Sequence, residues 1–218
     1  MKMIDLTHPI EETMPLFPGM VPPRLEPIGK GDSRETGIFL SSHLGTHVDA
    51  PAHTVQTGAF LEELPLERFF GLALLVDVSS FCGGTIPRSF LEGFQDALQF
   101  SQFVVLHSGQ YRLWGQDAYL QGFPVLSEDG ARFLASLSGL SGVGLDAISA
   151  DPVDSQDLPI HQILLGAGKL ILENLTNLDQ IEGEHFLLSA LPLPYSQADG
   201  CPLRAVAFQA PAGIYYPK

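Results

Sequence analysis

A chain of 218 residues, 45% of them hydrophobic and 17% charged, is globular and long enough to bury one substantial core rather than two. Its formal net charge of −14 and scattered basic residues argue against nucleic acid, which needs clustered Lys and Arg. No apolar run is long enough for a membrane span, and Asp5 and Pro9 interrupt the N-terminus before a signal peptide could form.

In chain order, the short apolar runs Met3–Leu6, Ile38–Ser41, Leu72–Val78, Phe103–Leu106, Val143–Ile148, Leu170–Leu172, Phe186–Leu191 and Leu203–Gln209 read as buried strands. Between the first two, Met14–Pro27 carries five prolines and is expected to be a stiff extended loop. Ser89 is placed to cap a helix over Phe90–Phe100, and Ser127 another over Glu128–Leu137, with acidic residues in its first turn. A third, shorter helix is expected at Ile160–Leu165. This pattern predicts a single α/β domain with a mixed β-sheet and flanking helices. The low charged content predicts a homodimer or homotetramer. Two cysteines, Cys82 and Cys201, make neither a metal pair nor a disulfide framework, which fits a cytoplasmic setting.

Three of the seven histidines fall in the segment His43-Leu44-Gly45-Thr46-His47-Val48-Asp49-Ala50-Pro51-Ala52-His53. Imidazole nitrogen and carboxylate oxygen are ligands that zinc and manganese accept, so His43, His47 and Asp49 are candidate metal ligands. Two His and one Asp leave coordination positions open for water, whereas a structural zinc site is closed by four protein ligands. The segment is not a zincin helix, because Leu44 and not Glu follows the first His. A cupin is excluded by the lack of a His-x-His pair. The competing reading, histidines decorating a polar turn, is disfavoured by their clustering. His53 reads either as a proton-transfer residue or as a third imidazole ligand.

This segment resembles the metal-binding signature of the cyclase family of hydrolases, which includes kynurenine formamidases and isatin hydrolases. The similarity continues through Asp5-Leu6-Thr7, Leu16-Phe17-Pro18-Gly19, Val143–Ser149, His161–Leu165, Leu172–Leu178, Leu191-Pro192-Leu193, Ala198-Asp199-Gly200 and Pro202–Val206. The resemblance implies a swivelling β/β/α fold in one domain, 1–218, assembling into dimers or tetramers. It implies that His43, His47 and Asp49 bind a divalent metal, and that His161 and Glu173 complete a second position, giving one or two ions, Zn or Mn, per chain. His53 would transfer the proton. Without the resemblance, His161 is an ordinary helix histidine and Glu173 a solvent-facing carboxylate.

Two departures concern the substrate. The formamidases carry Trp where Phe17 stands, a ring facing the substrate, and tend to have Arg-Thr-Gly in place of His107-Ser108-Gly109. His107 ends an expected strand, where functional residues collect in α/β folds, and so is a candidate pocket residue. The function expected is hydrolysis of an amide C–N bond in a small molecule, arylformamidase-like, with N-formyl-kynurenine yielding kynurenine and formate. The alternatives are an isatin-type cyclic-amide hydrolase and a metal-binding protein without turnover. His8, Trp114 and Arg204 are expected to be structural, and His185 a surface residue.

Overall fold

The computed structural model describes residues 1–209. In chain order its elements are β1 (Lys2–Asp5), β2 (Arg24–Pro27), β3 (Thr36–Phe39), β4 (His47–Asp49), β5 (Phe70–Asp77), β6 (Thr85–Ile86), α1 (Arg88–Leu91) and α2 (Gln95–Gln99). There follow β7 (Phe103–His107), β8 (Val125–Leu126), α3 (Glu128–Ser136), β9 (Gly142–Leu145), α4 (Pro159–Gly166), β10 (Leu170–Glu173), β11 (His185–Ser189), β12 (Gly200–Pro202) and β13 (Val206–Gln209). Nine strands form one sheet in the order β1-β13-β11-β5-β7-β9-β10-β4-β12. Its centre, β5-β7-β9-β10, is parallel, and its flanks are antiparallel. The fold is α/β with a mixed sheet, as the alternation of apolar runs and helices predicts. Among the described residues, no helix is long and apolar enough to cross a membrane.

Side chains alternate between sheet faces with a period of two, and the two faces bury different cores. Leu74, Val76, Val104, Leu106 and Ile171 pack with Leu134 and Leu164 of the helices. Ala73, Phe103, Val105 and Leu172 pack on the other side against Ile4, Leu6, Phe186 and Ala207. That second core is enclosed because the sheet curls. An isolated bridge joins Thr7, just beyond edge strand β1, to Leu175, just beyond β10.

Several expected elements differ in detail. The helix over Phe90–Phe100 is broken into α1, a 3-10 turn at Glu92–Phe94, and α2, with Pro87 rather than Ser89 at its N-cap. Gly93 sits at the break, and glycine is a poor helix former. Ser127 does cap α3, accepting from the Gly130 N–H at 3.1 Å, a bond worth about 1 kcal/mol. The run at Ile38–Ser41 is not buried. It lies in the β2–β3 hairpin outside the main sheet, with Ile38 and Phe39 exposed, and the end of the proline-rich loop supplies its partner strand. The run Val143–Ile148 leaves the sheet at Leu145, since Asp146 turns inward to accept from the Ser108 and Gly109 N–H groups at 3.0 and 2.7 Å. The last run, Leu203–Gln209, is a strand only from Val206 (β13). Leu203–Ala205 link it to β12, which precedes the run, and Arg204 there pairs with Asp5 at 2.6 Å.

Candidate metal centre

β4 is made of His and Asp around a valine, none of it an apolar run, yet it is a fully buried strand between β10 and β12. Its register decides where its side chains point. His47 lies opposite Glu173, and Asp49 opposite Ile171. Directly opposed residues on neighbouring strands share a face, and Ile171 belongs to the core beneath the helices. His47, Asp49 and Glu173 therefore all face α4, whose first turn carries His161. Val48 and Leu172 point the other way, into the second core.

His43 enters from the loop before β4 and reaches the same point. Its Nδ1 lies 2.6 Å from Asp49 Oδ1, and His47 Nε2 lies 3.2 Å from that oxygen. His47 Nε2 is also 3.5 Å from Glu173 Oε2. His161 Nε2 is 3.2 Å from Glu173 Oε1 and 3.6 Å from Asp49 Oδ2. Among the described residues the donors fall into three overlapping sets: His43, His47 and Asp49, then Asp49, His161 and Glu173, the two sharing Asp49, and, nearer the surface, His43, His53 and Asp199.

Two of the imidazoles have their tautomers set from outside. His47 Nδ1 donates to the Gly45 carbonyl at 2.8 Å. His161 Nδ1 lies 2.6 Å from Asp151 Oδ2, and Asp151 also accepts from the Ile160 and His161 N–H groups at 2.9 and 3.0 Å. Each Nε2 lone pair is thereby aimed at the carboxylates, the arrangement by which histidine ligands are usually held. His43 is held likewise through Nε2, 3.0 Å from Asp199 Oδ2. Asp49 Oδ2 is buried and has no hydrogen-bond partner. Imidazole nitrogens and carboxylate oxygens converging on one point, with a buried carboxylate oxygen among them unpaired, fit a cation.

The electrostatics agree. Burial opposes charge on His43, but Asp49 and Asp199 outweigh it and raise its pKa to about 10. Burial likewise opposes charge on His47 and His161, and the surrounding carboxylates still raise both. Burial would push Asp49 up, but His47 and His43 hold it well below the ordinary carboxylate range. The centre is a point of negative potential where positive charge is stabilised.

Above it opens a cavity of about 570 Å³, bordered by Phe17, Met20, Ile148, Val153 and Leu158 as well as the ligand candidates. His53 sits at its edge, a quarter exposed, with Nδ1 3.8 Å from Asp199 Oδ2 and its ring 3.8 Å from that of His43. Burial holds its imidazole below the usual histidine range.

The structure thus brings together His43, His47, Asp49, His53, His161 and Glu173, with Phe17 on the cavity wall. His107 is not among the cavity's residues. Its ring lies 5.9 Å from Tyr111; two residues beyond Val105 on β7, it falls on the sheet face opposite the one that carries Glu173, so it takes no part in the pocket. His8 is buried against Trp114 in a parallel stack at 3.8 Å, and burial lowers its pKa to about 4. Both are structural, as expected. Asp151 and Asp199 had no role in the sequence reading. Asp199 lies 156 positions from His43, and Asp151 lies ten before His161 across an intervening loop, so neither pair forms a local motif.

The Cyclase family model, described as "Putative cyclase", matches residues 4–152. The chain belongs to the cyclase family. This cyclase-family chain is 32% identical to a kynurenine formamidase of Salinibacter ruber over 97% of its own length and 99% of that protein's. A solved "predicted metal-dependent hydrolase from Bacillus stearothermophilus" is 31% identical, with TM-score 0.78, covering 94% of this chain and 97% of that one. Isatin hydrolase A from Labrenzia aggregata superposes with TM-score 0.83 at 26% identity, covering 94% and 93%.

One glycine tests the His43 assignment in this family member. Gly200 of β12 lies opposite Asp49, and a Cβ there would meet the His43 ring, 2.8 Å from Nδ1 and 2.9 Å from Nε2. Gly200→Ala is expected to displace that ring and weaken metal binding by about 10- to 100-fold. Chelator competition measures the affinity, and circular dichroism confirms the fold. Affinity equal to the parent's would remove His43 from the ligand set.

Proposed function

We propose that this protein is a metal-dependent hydrolase of aryl amides, cleaving N-formyl-kynurenine or a close relative to an amine and formate. The observation that carries this reading is the shared carboxylate. Asp49 offers one oxygen to the His43–His47 set and the other to the His161–Glu173 set, beside an open cavity. His43, His47, Asp49, His161 and Glu173 would hold one or two divalent ions, zinc or manganese. Bound there, such an ion acts as a Lewis acid on the carbonyl and lowers the pKa of water.

The chain's own residues do the rest. Phe17, with Ile148, Val153 and Leu158 around the cavity, stacks and desolvates the aryl ring of the substrate. His53 accepts a proton from the water that attacks the amide carbon, then delivers it to the nitrogen as the C–N bond breaks. Asp199, 3.8 Å from its Nδ1, places a negative charge beside the imidazole. A protein that only stored metal would need neither the cavity nor His53.

A second reading, hydrolysis of a cyclic amide, is favoured by the likeness to isatin hydrolase A and by Phe17 standing where the formamidases have Trp. The test compares kcat/KM for N-formyl-kynurenine, formanilide and isatin on one metal-loaded preparation. We expect the aryl formamides to be cleaved and the metal-stripped protein to be inactive. Exclusive cleavage of isatin would move the protein to the second reading, and no cleavage of any would reject both.

A further inference from the structure

Leu158 has a left-handed backbone, φ 45° and ψ 55°. Glycine, asparagine and aspartate enter this region readily, whereas a bulky side chain there is strained. Among the described residues the other non-glycine positions with positive φ are Asn174, Asn177 and Gln197, so Leu158 is the one apolar side chain held this way.

The position has no local need for leucine. Leu158 is the N-cap of α4, where Ser, Thr, Asp or Asn would normally satisfy the first N–H groups. It makes no side-chain cap. Asp151 supplies that function from earlier in the loop, accepting from the Ile160 and His161 N–H groups. The same carboxylate holds His161 Nδ1, so the backbone is drawn into a tight return at residue 158 to orient a candidate ligand. The chain could make that return with glycine or asparagine.

Nor does core packing explain the residue. Its side chain is only half-buried and belongs to neither hydrophobic core. What it borders is the cavity over the metal centre, together with Phe17, Met20, Ile148 and Val153. Strain retained at a ligand cavity without compensation from the core points to a functional constraint. We propose that Leu158 is a specificity-determining residue, whose isobutyl group is held in the strained position to pack against an uncharged aryl ring of the substrate. This inference rests on the amide-hydrolase reading for the identity of the substrate, but not for the presence of the aryl subsite.

Leu158→Gly and Leu158→Asn both accept the left-handed backbone while removing the apolar wall. On the metal-loaded proteins, calorimetry measures the affinity for acetanilide, and turnover gives the kcat/KM ratio of formanilide to N-methylformamide. We expect both the affinity and the ratio to fall about tenfold, the scale of lost apolar contact in a specificity pocket. The melting temperature of the glycine variant should be no lower than the parent's. Unchanged affinity and ratio in both variants would overturn the proposal. So would a melting temperature that falls in both without a change in the ratio, which would make Leu158 a packing residue. If the parent turns over no amide yet binds acetanilide in a Leu158-dependent way, the hydrolase reading falls and the subsite stands. If formanilide is cleaved but acetanilide binds neither parent nor variants, the subsite falls and the hydrolase reading stands.

Discussion

Asp49→Ala protein is expected to purify with less than about a tenth of the parent's divalent metal and to have no measurable amide hydrolysis. Asp49 is wholly buried, and its carboxylate is the one group common to the His43–His47 and His161–Glu173 sets. Losing a group that merely orients a ligand costs about 10- to 100-fold in metal affinity, so losing the bridging ligand should exceed that range. The strand itself should survive, because β4 is held by backbone pairing to β10 and β12. Metal content by mass spectrometry, hydrolysis of formanilide and circular dichroism together decide the matter. A folded Asp49→Ala protein retaining a full metal complement would show that the ion binds elsewhere.

His53→Ala should separate from Asp49→Ala in one measurement. We expect it to keep most of its metal and to lose about two to four powers of ten in kcat, the range for a missing general base. The reason is positional. His53 lies at the cavity edge, a quarter exposed, nearer to Asp199 and the His43 ring than to the buried carboxylates. Its ring centroid is 5.8 Å from that of His161. KM for formanilide should change little, since the aryl ring is held by Phe17 and its neighbours. The structure also groups His53 with His43 and Asp199 as donors close enough to share an ion. Metal loss as complete as in Asp49→Ala would therefore make His53 a ligand and assign the proton transfer to another group.

Three-dimensional pairing explains why some residues were legible and others were not. His43, His47, Asp49 and His53 announce themselves because four chemically reactive side chains share eleven residues, and no core or turn requires that composition. His161 and Glu173 carry no such local signal. Each stands beside an ordinary amide residue, Gln162 or Asn174, between apolar ones, and only the likeness to the cyclase family suggested their role. Asp151 and Asp199 were missed for a related reason. Their task is to hold another residue's ring, 10 and 156 positions away in sequence, and nothing in the neighbourhood of either aspartate records the partner.

The α/β class, most of the central strands, the Ser127 cap and the first set of candidate ligands are legible in the residues alone, since all of these depend on periodicity, local backbone preference or close spacing. The tertiary structure decided the rest. It made a strand of His47–Asp49, which no propensity would select, because β10 and β12 satisfy its backbone on both sides. The register of that pairing turned His47, Asp49 and Glu173 toward the helix that carries His161. It withdrew His107 from the pocket and left Leu158 strained at its border. A period of two states that alternate residues face opposite ways, but only the pairing of distant strands decides which face meets the metal centre.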